Sequence, residues 1–342
     1  MRYMSVGMEF LVHKVAAGEK AAQDLSIQEA QRAAHLLLSG EATPAQAGGF
    51  LVGMRVKGET VEETIAFARA VRETNRLVPL DRKIQPLDIP VYAGKKSAFH
   101  AIIPAGLILA ASGVPVLLHG FSGAPGRSGC AEVLKALGIC TEFSTGEGAA
   151  VLEQLGFVYL DVSRFNPSLY RFQLLRVELG VRTIFNSVAR MADPAGSGIH
   201  LIGISHPPYL ELTAKALSHL GSRHAIILRG VEGGPEPSIT GESIALELVG
   251  ARTQPMTLSP PSGSPLAKRE NILGGPPEDQ AGIIRKIVSN VSRDFYGRWS
   301  LWTAALAFLA VGRVSALSDG FTLAEKTIEN GEAFKKFVQL TE

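Results

Sequence analysis

The stretch LRVELGVRTIFNSVARMADP, residues 175–194, decides how this 342-residue chain is read. RTIFN followed by a DP pair, with Arg176 six residues before Arg182, is a long and unusual string, and therefore a specific one. Arg171, Arg176, Arg182 and Arg190 all fall on or beside it. Spacings of five, six and eight residues do not make one helical stripe, so spacing alone does not give these arginines a shared face.

On the N-terminal side the pattern is helical. LSIQEAQRAAHLLLSG closes on Gly40, a helix-stop signal. TPAQAGGFLVGMRVKG offers Thr43 as N-cap, Pro44 in the first turn and Gly58 as stop. ETVEETIAFARAVRETN opens on a Thr60…Glu63 capping box. LVPLDRKIQPLDIP, with Pro79, Pro86 and Pro90, reads as a hinge into a second domain. From there short β-rich runs alternate with helical ones: LDIPVY, VPVLLHG, GFVYLDV, HLIGIS, HAIILRG and SIALELV are the strand candidates. Apolar strands separated by helices predict a largely parallel sheet covered on both faces. Residues 253–280, rich in Pro, Gly and Ser, read as loop, and a helix pair closes the chain.

Bulk properties exclude little. Hydrophobic content of 46% and charged content of 19% fit a globular protein of two domains. A formal net charge of +2 permits an anionic partner without arguing for one. Cys130 and Cys140 are the only cysteines, which excludes a disulfide framework and suits a reducing cytoplasm. MRYMSVGMEF lacks an apolar signal-peptide core, and the apolar runs 101–118 and 299–311 read as core, not as membrane spans.

RTIFN…DP resembles the segment of anthranilate phosphoribosyltransferases and pyrimidine nucleoside phosphorylases where a small helical domain meets a large α/β domain. SGEATPAQAGGFLVGMRVKGETVEETIAF, SGCAEVLKALGI, IGISHPPYLELTAKALSHLG and DGFTLAEKTIENGEAF are similar to other parts of the anthranilate phosphoribosyltransferase family. The resemblance implies an N-terminal helical domain over 1–88, a segment near 166–192 packed on it, and an α/β domain over 89–342 with a mostly parallel sheet. It also implies a homodimer joined through the helical domains.

Its motifs are damaged. Where the family has GTGGD to cradle a diphosphate, this chain has Pro90, Val91, Tyr92, Ala93 and Gly94. Proline removes an amide donor, and Val91 and Tyr92 add bulk where backbone must approach phosphate. His100, Ile102 and Ile103 stand for the family's Asn, Ser and Thr, and Leu118–His119–Gly120–Phe121 for Lys-His-Gly-Asn. Pro125 and Gly126 fall where serines are expected, while Arg127 survives and Ser128–Gly129 still opens a helix. The Asp-Glu pair that carries magnesium becomes Pro235 and Glu236. A lone carboxylate makes Glu236 a weak metal candidate, with Glu232 nearby. Arg176 matches the arginine that meets the acceptor's carboxylate, and Asn166 replaces a histidine. These losses are similar to those of a divergent branch, the YbiB-like proteins, which keep the fold and are associated with nucleic-acid binding in a basic groove of the dimer.

The bland reading stands beside each candidate. Lys95, Lys96 and His100 make either the floor of a positive groove or a solvated loop. Arg176 and Arg182 either meet a ligand or fasten the domain junction, and Arg229 sits at a strand end facing the cleft. His119 and His206 at the same rim also suit structural hydrogen bonds. Trp299, Trp302 and Phe308 belong to a helix core. The expectation is a homodimer binding nucleic acid or another phosphate-rich anion through Lys95, Lys96, His100, His119, Gly120, Arg127, Ser128, Arg176, Arg182, His206 and Arg229. No cofactor or membrane is expected, and no catalytic residue is assigned; Mg²⁺ enters only with retained phosphoribosyl transfer. The alternatives are an active transferase, of phosphoribosyl groups to an aromatic amine or related acceptor or of another sugar phosphate, and a scaffold partner near tryptophan metabolism.

Overall fold

A computed structural model describes residues 7–18, 20–122, 126–261 and 266–342. Four helices open the chain: α1 (Met8–Ala16), α2 (Ile27–Ser39), α3 (Pro44–Lys57) and α4 (Val61–Glu73). Reciprocal capping boxes at Ser26/Glu29, Thr43/Gln46 and Thr60/Glu63 satisfy the first amides of α2, α3 and α4. Gly40 ends α2 at φ 83°, a left-handed conformation that glycine adopts without Cβ strain.

The second part runs β1 (Leu87–Pro90), α5 (Ile102–Ala111), β2 (Val116–Gly120), α6 (Cys130–Leu137), α7 (Thr145–Leu155) and β3 (Phe157–Asp161). It continues through α8 (Val162–Phe165), α9 (Pro167–Leu179), α10 (Ile184–Val188), β4 (Ile199–Ile204), α11 (Pro208–His219) and β5 (His224–Arg229). A hairpin of β6 (Ser243–Val249) and β7 (Arg252–Leu258) follows, then α12 (Pro277–Val288), α13 (Phe295–Ala310), α14 (Leu317–Glu329) and α15 (Glu332–Thr341).

Among the described residues, seven strands form one sheet in the order β3-β2-β1-β4-β5-β6-β7. Pairing is parallel from β3 to β5 and antiparallel from β5 to β7. Strand β7 corrects the reading of 253–258 as loop. Arg252–Leu258 pairs with β6 across a tight turn at Gly250 (φ 59°), and Pro255 is tolerated because β7 is an edge strand. The rest of that loop includes residues 262–265, which lie outside the described residues, as do Pro125 and the first six residues.

Successive residues of β2 point to opposite faces. Val116 and Leu118 join one core with α5, α12 and α13, while Leu117 joins the other with α4, α10 and α11. Trp299, Trp302 and Phe308 are buried in the first core, as their apolar surroundings predict. Among the described residues, no helix is long and apolar enough to cross a membrane. The chain leaves β1 for β2 and β3 on one side, then returns to β4 on the other. That switch point opens a crevice at the carboxyl ends of the strands, where α/β sheets receive ligands.

Candidate functional site

The crevice rim divides by how its charges are partnered. On one side lies the segment after β1. Lys95, expected to floor an open groove, is instead 3% exposed. Its Nζ donates to Glu236 Oε2 and to the carbonyl of Val231, each at 2.6 Å. Gly234 makes room for this pair, since a Cβ there would collide with both Lys95 Nζ and the Glu236 carboxylate. Next to it, successive amides of Lys96 and Ser97 and the Ser97 hydroxyl donate to the carboxylate of Glu232. Two consecutive N–H groups aimed at one anion are what a phosphate oxygen would require, and here the chain's own carboxylate fills the position. Glu232 holds it from a left-handed backbone (φ 55°, ψ 21°), a conformation costing roughly 1–2 kcal/mol for a non-glycine residue. Burial alone would raise the Glu232 carboxyl. The Lys96 amide, the Ser97 hydroxyl and the Lys95 charge outweigh it and hold the group below the usual carboxylate range.

His100 and His119 do not face the crevice. His100 Nδ1 lies 2.9 Å from Gln280 Oε1, and burial, with the Lys95 charge, drives the imidazole down to about 4. His119 is fully buried, with Nδ1 3.1 Å from the Tyr92 hydroxyl and Nε2 3.2 Å from Asp88 Oδ1, out of line for a hydrogen bond. Burial alone would raise the Asp88 carboxyl; the neighbouring His119 charge and the hydrogen bond from His200 instead hold it well below the ordinary range. Gly120 closes β2 in the core, packed on Val91 and Tyr159. Ser128 is spent on backbone pairing with Lys95.

The other side of the rim is arginine. Arg127, Arg176 and Arg182 line a cavity of about 400 Å³ together with Phe121 and Gln173. Lys96, Arg127, Arg182, His206, Arg229 and Arg269 line an adjoining one of about 550 Å³. Arg182 and His206 also border a smaller space of about 60 Å³ with Arg55 and Arg190. The arginines that sequence spacing could not bring together therefore converge, because the turn at Gly180 (φ 68°) separates Arg176, in the last turn of α9, from Arg182. Among the described residues, no carboxylate lies within 4.0 Å of Arg127, Arg176, Arg182, Arg190 or Arg229. Burial, then mutual repulsion, lowers the guanidinium pKa of Arg176, Arg182 and Arg190, the last to about 10. Arg171 stands apart, donating to the Leu38 carbonyl at 2.8 Å.

Arg55, Arg190 and Arg269 were not among the sequence-derived candidates. Arg55 reaches the crevice from α3, and Arg269 from the segment read as loop. Only tertiary packing reveals either.

The side chains do not fit a magnesium–diphosphate pair. One oxygen of Glu236 is taken by an ammonium, its neighbour is Pro235, and Glu232 is committed to amides. Asp88, Asp193 and His200 do cluster, but beneath the crevice. His200 bridges Asp88 Oδ2 (3.0 Å) and the Ser222 hydroxyl (2.9 Å), and Asp193 accepts from the Ser197 and Gly198 amides, so internal partners engage every side-chain atom of the group but Asp88 Oδ1, which faces His119.

Comparison with known proteins agrees with this architecture. The glycosyl transferase family a/b domain matches residues 97–334, and that family's helical bundle domain matches residues 10–74. An anthranilate phosphoribosyltransferase of Desulfitobacterium hafniense (strain Y51) is 33% identical over 331 residues, covering 95% of this chain and 97% of that protein. The crystal structure of the anthranilate phosphoribosyltransferase from Thermus thermophilus superposes with a TM-score of 0.86 at 31% identity, covering 97% of this chain and 98% of that one. The Saccharomyces cerevisiae enzyme in complex with PRPP and Mg shares the fold (TM-score 0.83, 18% identity, 98% and 97% covered). The chain belongs to the anthranilate phosphoribosyltransferase-like glycosyl transferase family.

Proposed function

We propose that this protein binds phosphate-rich polyanions, in particular nucleic acid, in a sequence-tolerant way, and that its phosphoribosyl transfer is weak or absent. One observation carries the reading. Glu236 and Glu232 occupy the ammonium and amides that a diphosphate would need, while among the described residues the arginines across the same crevice have no carboxylate partner. Guanidiniums without a counter-charge beside a cleft attract phosphates without reading bases, and such binding weakens steeply with salt. The rival reading, transfer to an aromatic amine, draws on the 33% identity to an anthranilate phosphoribosyltransferase. It requires the Lys95–Glu236 pair to open.

A homodimer through the helical domain belongs to the same proposal. Phe10, Val56 and Val177 expose 51%, 72% and 53% of their surface on α1, α3 and α9, and a partner copy would cover them. Sedimentation should give twice the monomer mass.

Two titrations decide between the readings. Fluorescence anisotropy with a labelled single-stranded 20-mer should give an affinity that falls linearly in log–log form with added NaCl. Thermal shift with millimolar phosphoribosyl diphosphate should show no Mg²⁺-dependent stabilisation beyond that given by ribose 5-phosphate. Salt-independent or absent oligonucleotide binding, or turnover of the activated ribose, overturns the proposal.

A further inference from the structure

We propose that the small cavity between α3, α10 and α11 is a receptor for one terminal phosphate monoester, distinct from the wide arginine-lined crevice beside it. Arg55, Arg182 and Arg190 converge on it, with buried Ile204 and Thr213 as part of its lining. Arg190 spends one donor on the Asn186 carbonyl at 2.7 Å. Independently, the Thr183 hydroxyl, on a residue only 3% exposed that lines the cavity, has no hydrogen-bond partner. Its backbone amide is used by Asn186 Oδ1 at 2.8 Å, and the Asn186 amide donates to the Thr183 carbonyl at 2.9 Å, which leaves the hydroxyl out of the helix cap. A buried hydroxyl left unmatched costs free energy unless something enters to meet it.

Size and charge select the occupant. About 60 Å³ holds roughly four waters or one tetrahedral oxyanion, and is far below the several hundred Å³ that a nucleoside needs. A bridging phosphodiester has two arms that must leave the cavity, whereas a monoester has one. A monoester also carries about −1.5 to −2 at neutral pH, against −1 for a diester, which better matches three guanidiniums. The one carboxylate at the site, Glu59, is held by the Tyr209 hydroxyl at 3.1 Å, and that tyrosine also accepts from Arg55 at 3.1 Å. Burial and the Arg182 charge already depress the Arg190 guanidinium, so an entering dianion would relieve an uncompensated cation.

The phosphate can come from an oligonucleotide end or from a small phosphorylated molecule. For that source, though not for the site, the proposal rests on the polyanion reading. The test compares inorganic phosphate with chloride at matched ionic strength by thermal shift, and 5′-phosphorylated with 5′-hydroxyl dodecamers by anisotropy. Phosphate should stabilise the protein beyond chloride, and the 5′-phosphate should tighten binding about tenfold, as expected for hydrogen bonds to a charged partner. Thr183→Val and Arg55→Gln should each remove most of both effects. Arg55 is exposed, so its variant keeps the fold even where the buried threonine variant does not. Equal effects of phosphate and chloride, together with equal affinity for the two dodecamers, would overturn the site while leaving the polyanion reading intact. Stabilisation by phosphate that both variants retain would place the anion elsewhere and overturn it too. Phosphate binding lost in the variants, with neither dodecamer bound, would uphold the site and sink the polyanion reading.

Discussion

Two halves of one crevice rim carry basic groups, and they differ in how those groups are partnered. After β1, Lys95 and the amides of Lys96 and Ser97 meet Glu236 and Glu232 from the loop that follows β5. Across the opening, Arg176, Arg182 and Arg229 meet cavity space, as does Arg127, whose guanidinium also donates to the Gly94 carbonyl at 3.2 Å. Both halves sit at the carboxyl ends of strands, so position in the fold does not separate them. What separates them is whether a carboxylate of the same chain has reached the charge. A count of basic residues would miss this, since Lys95 and Arg182 score alike.

The largest effect should come from breaking the closed half. Lys95→Met leaves Glu236 buried with no counter-charge, and losing one partner of a buried pair costs about 3–5 kcal/mol. The double variant Lys95→Met/Glu236→Gln removes the stranded charge and should recover much of that loss in urea unfolding. If single and double variants unfold alike, the pair is not what organises this half.

Next in size is a pH effect specific to the closed half. The unfolded His100 imidazole titrates near 6.5, whereas the folded one is held down to about 4 by burial and by Lys95. With the folded pKa depressed, the native state takes up its proton later than the unfolded state as pH falls. His100 therefore stabilises the fold fully above about pH 6.5, and that contribution drains away as pH falls toward 4. The span amounts to roughly 3 kcal/mol. His100→Gln should flatten this part of the stability–pH curve, and a curve unchanged by the substitution would remove His100 from the account.

How far the sequence carried the reading follows from the same contrast. Capping boxes at Thr43 and Thr60, helix stops at Gly40 and Gly58, and apolar strand runs are local signals, and each element formed where local chemistry put it. Strand β7 was hidden because Pro255 reads as a breaker until an edge position makes it harmless. The site was half legible. The departure from the family's GTGGD loop could be read at Val91 and Tyr92. The hold of Glu232 on the Lys96 and Ser97 amides could not, because an interaction across 135 residues leaves no trace in spacing. Nor did periodicity bring Arg176 and Arg182 together, since the turn at Gly180 breaks any helical register between them.

A substitution can also open the closed half. Glu232→Gly removes the internal anion and suits a backbone already at φ 55°, so stability should change little. It also frees two successive amides and the Ser97 hydroxyl. Affinity for inorganic diphosphate, measured by calorimetry, should rise about tenfold. No gain would mean that the amides collapse onto another partner, and that the carboxylate is not standing in for phosphate.

The finest test lies within the arginine segment itself. Arg182 borders all three cavities, whereas Arg171, a short way back along the chain, donates to the Leu38 carbonyl and touches none of them. Arg182→Gln should weaken oligonucleotide binding five- to tenfold and lower the salt slope by about one, the signature of one lost phosphate contact. Arg229→Gln, exposed at the mouth, should cost only about two- to threefold, because water already screens its charge. Arg171→Gln should leave both affinity and slope where they were. Equal losses at all three positions would mean that binding responds to total charge and not to the crevice, and the distinction between partnered and unpartnered cations would lose its functional content.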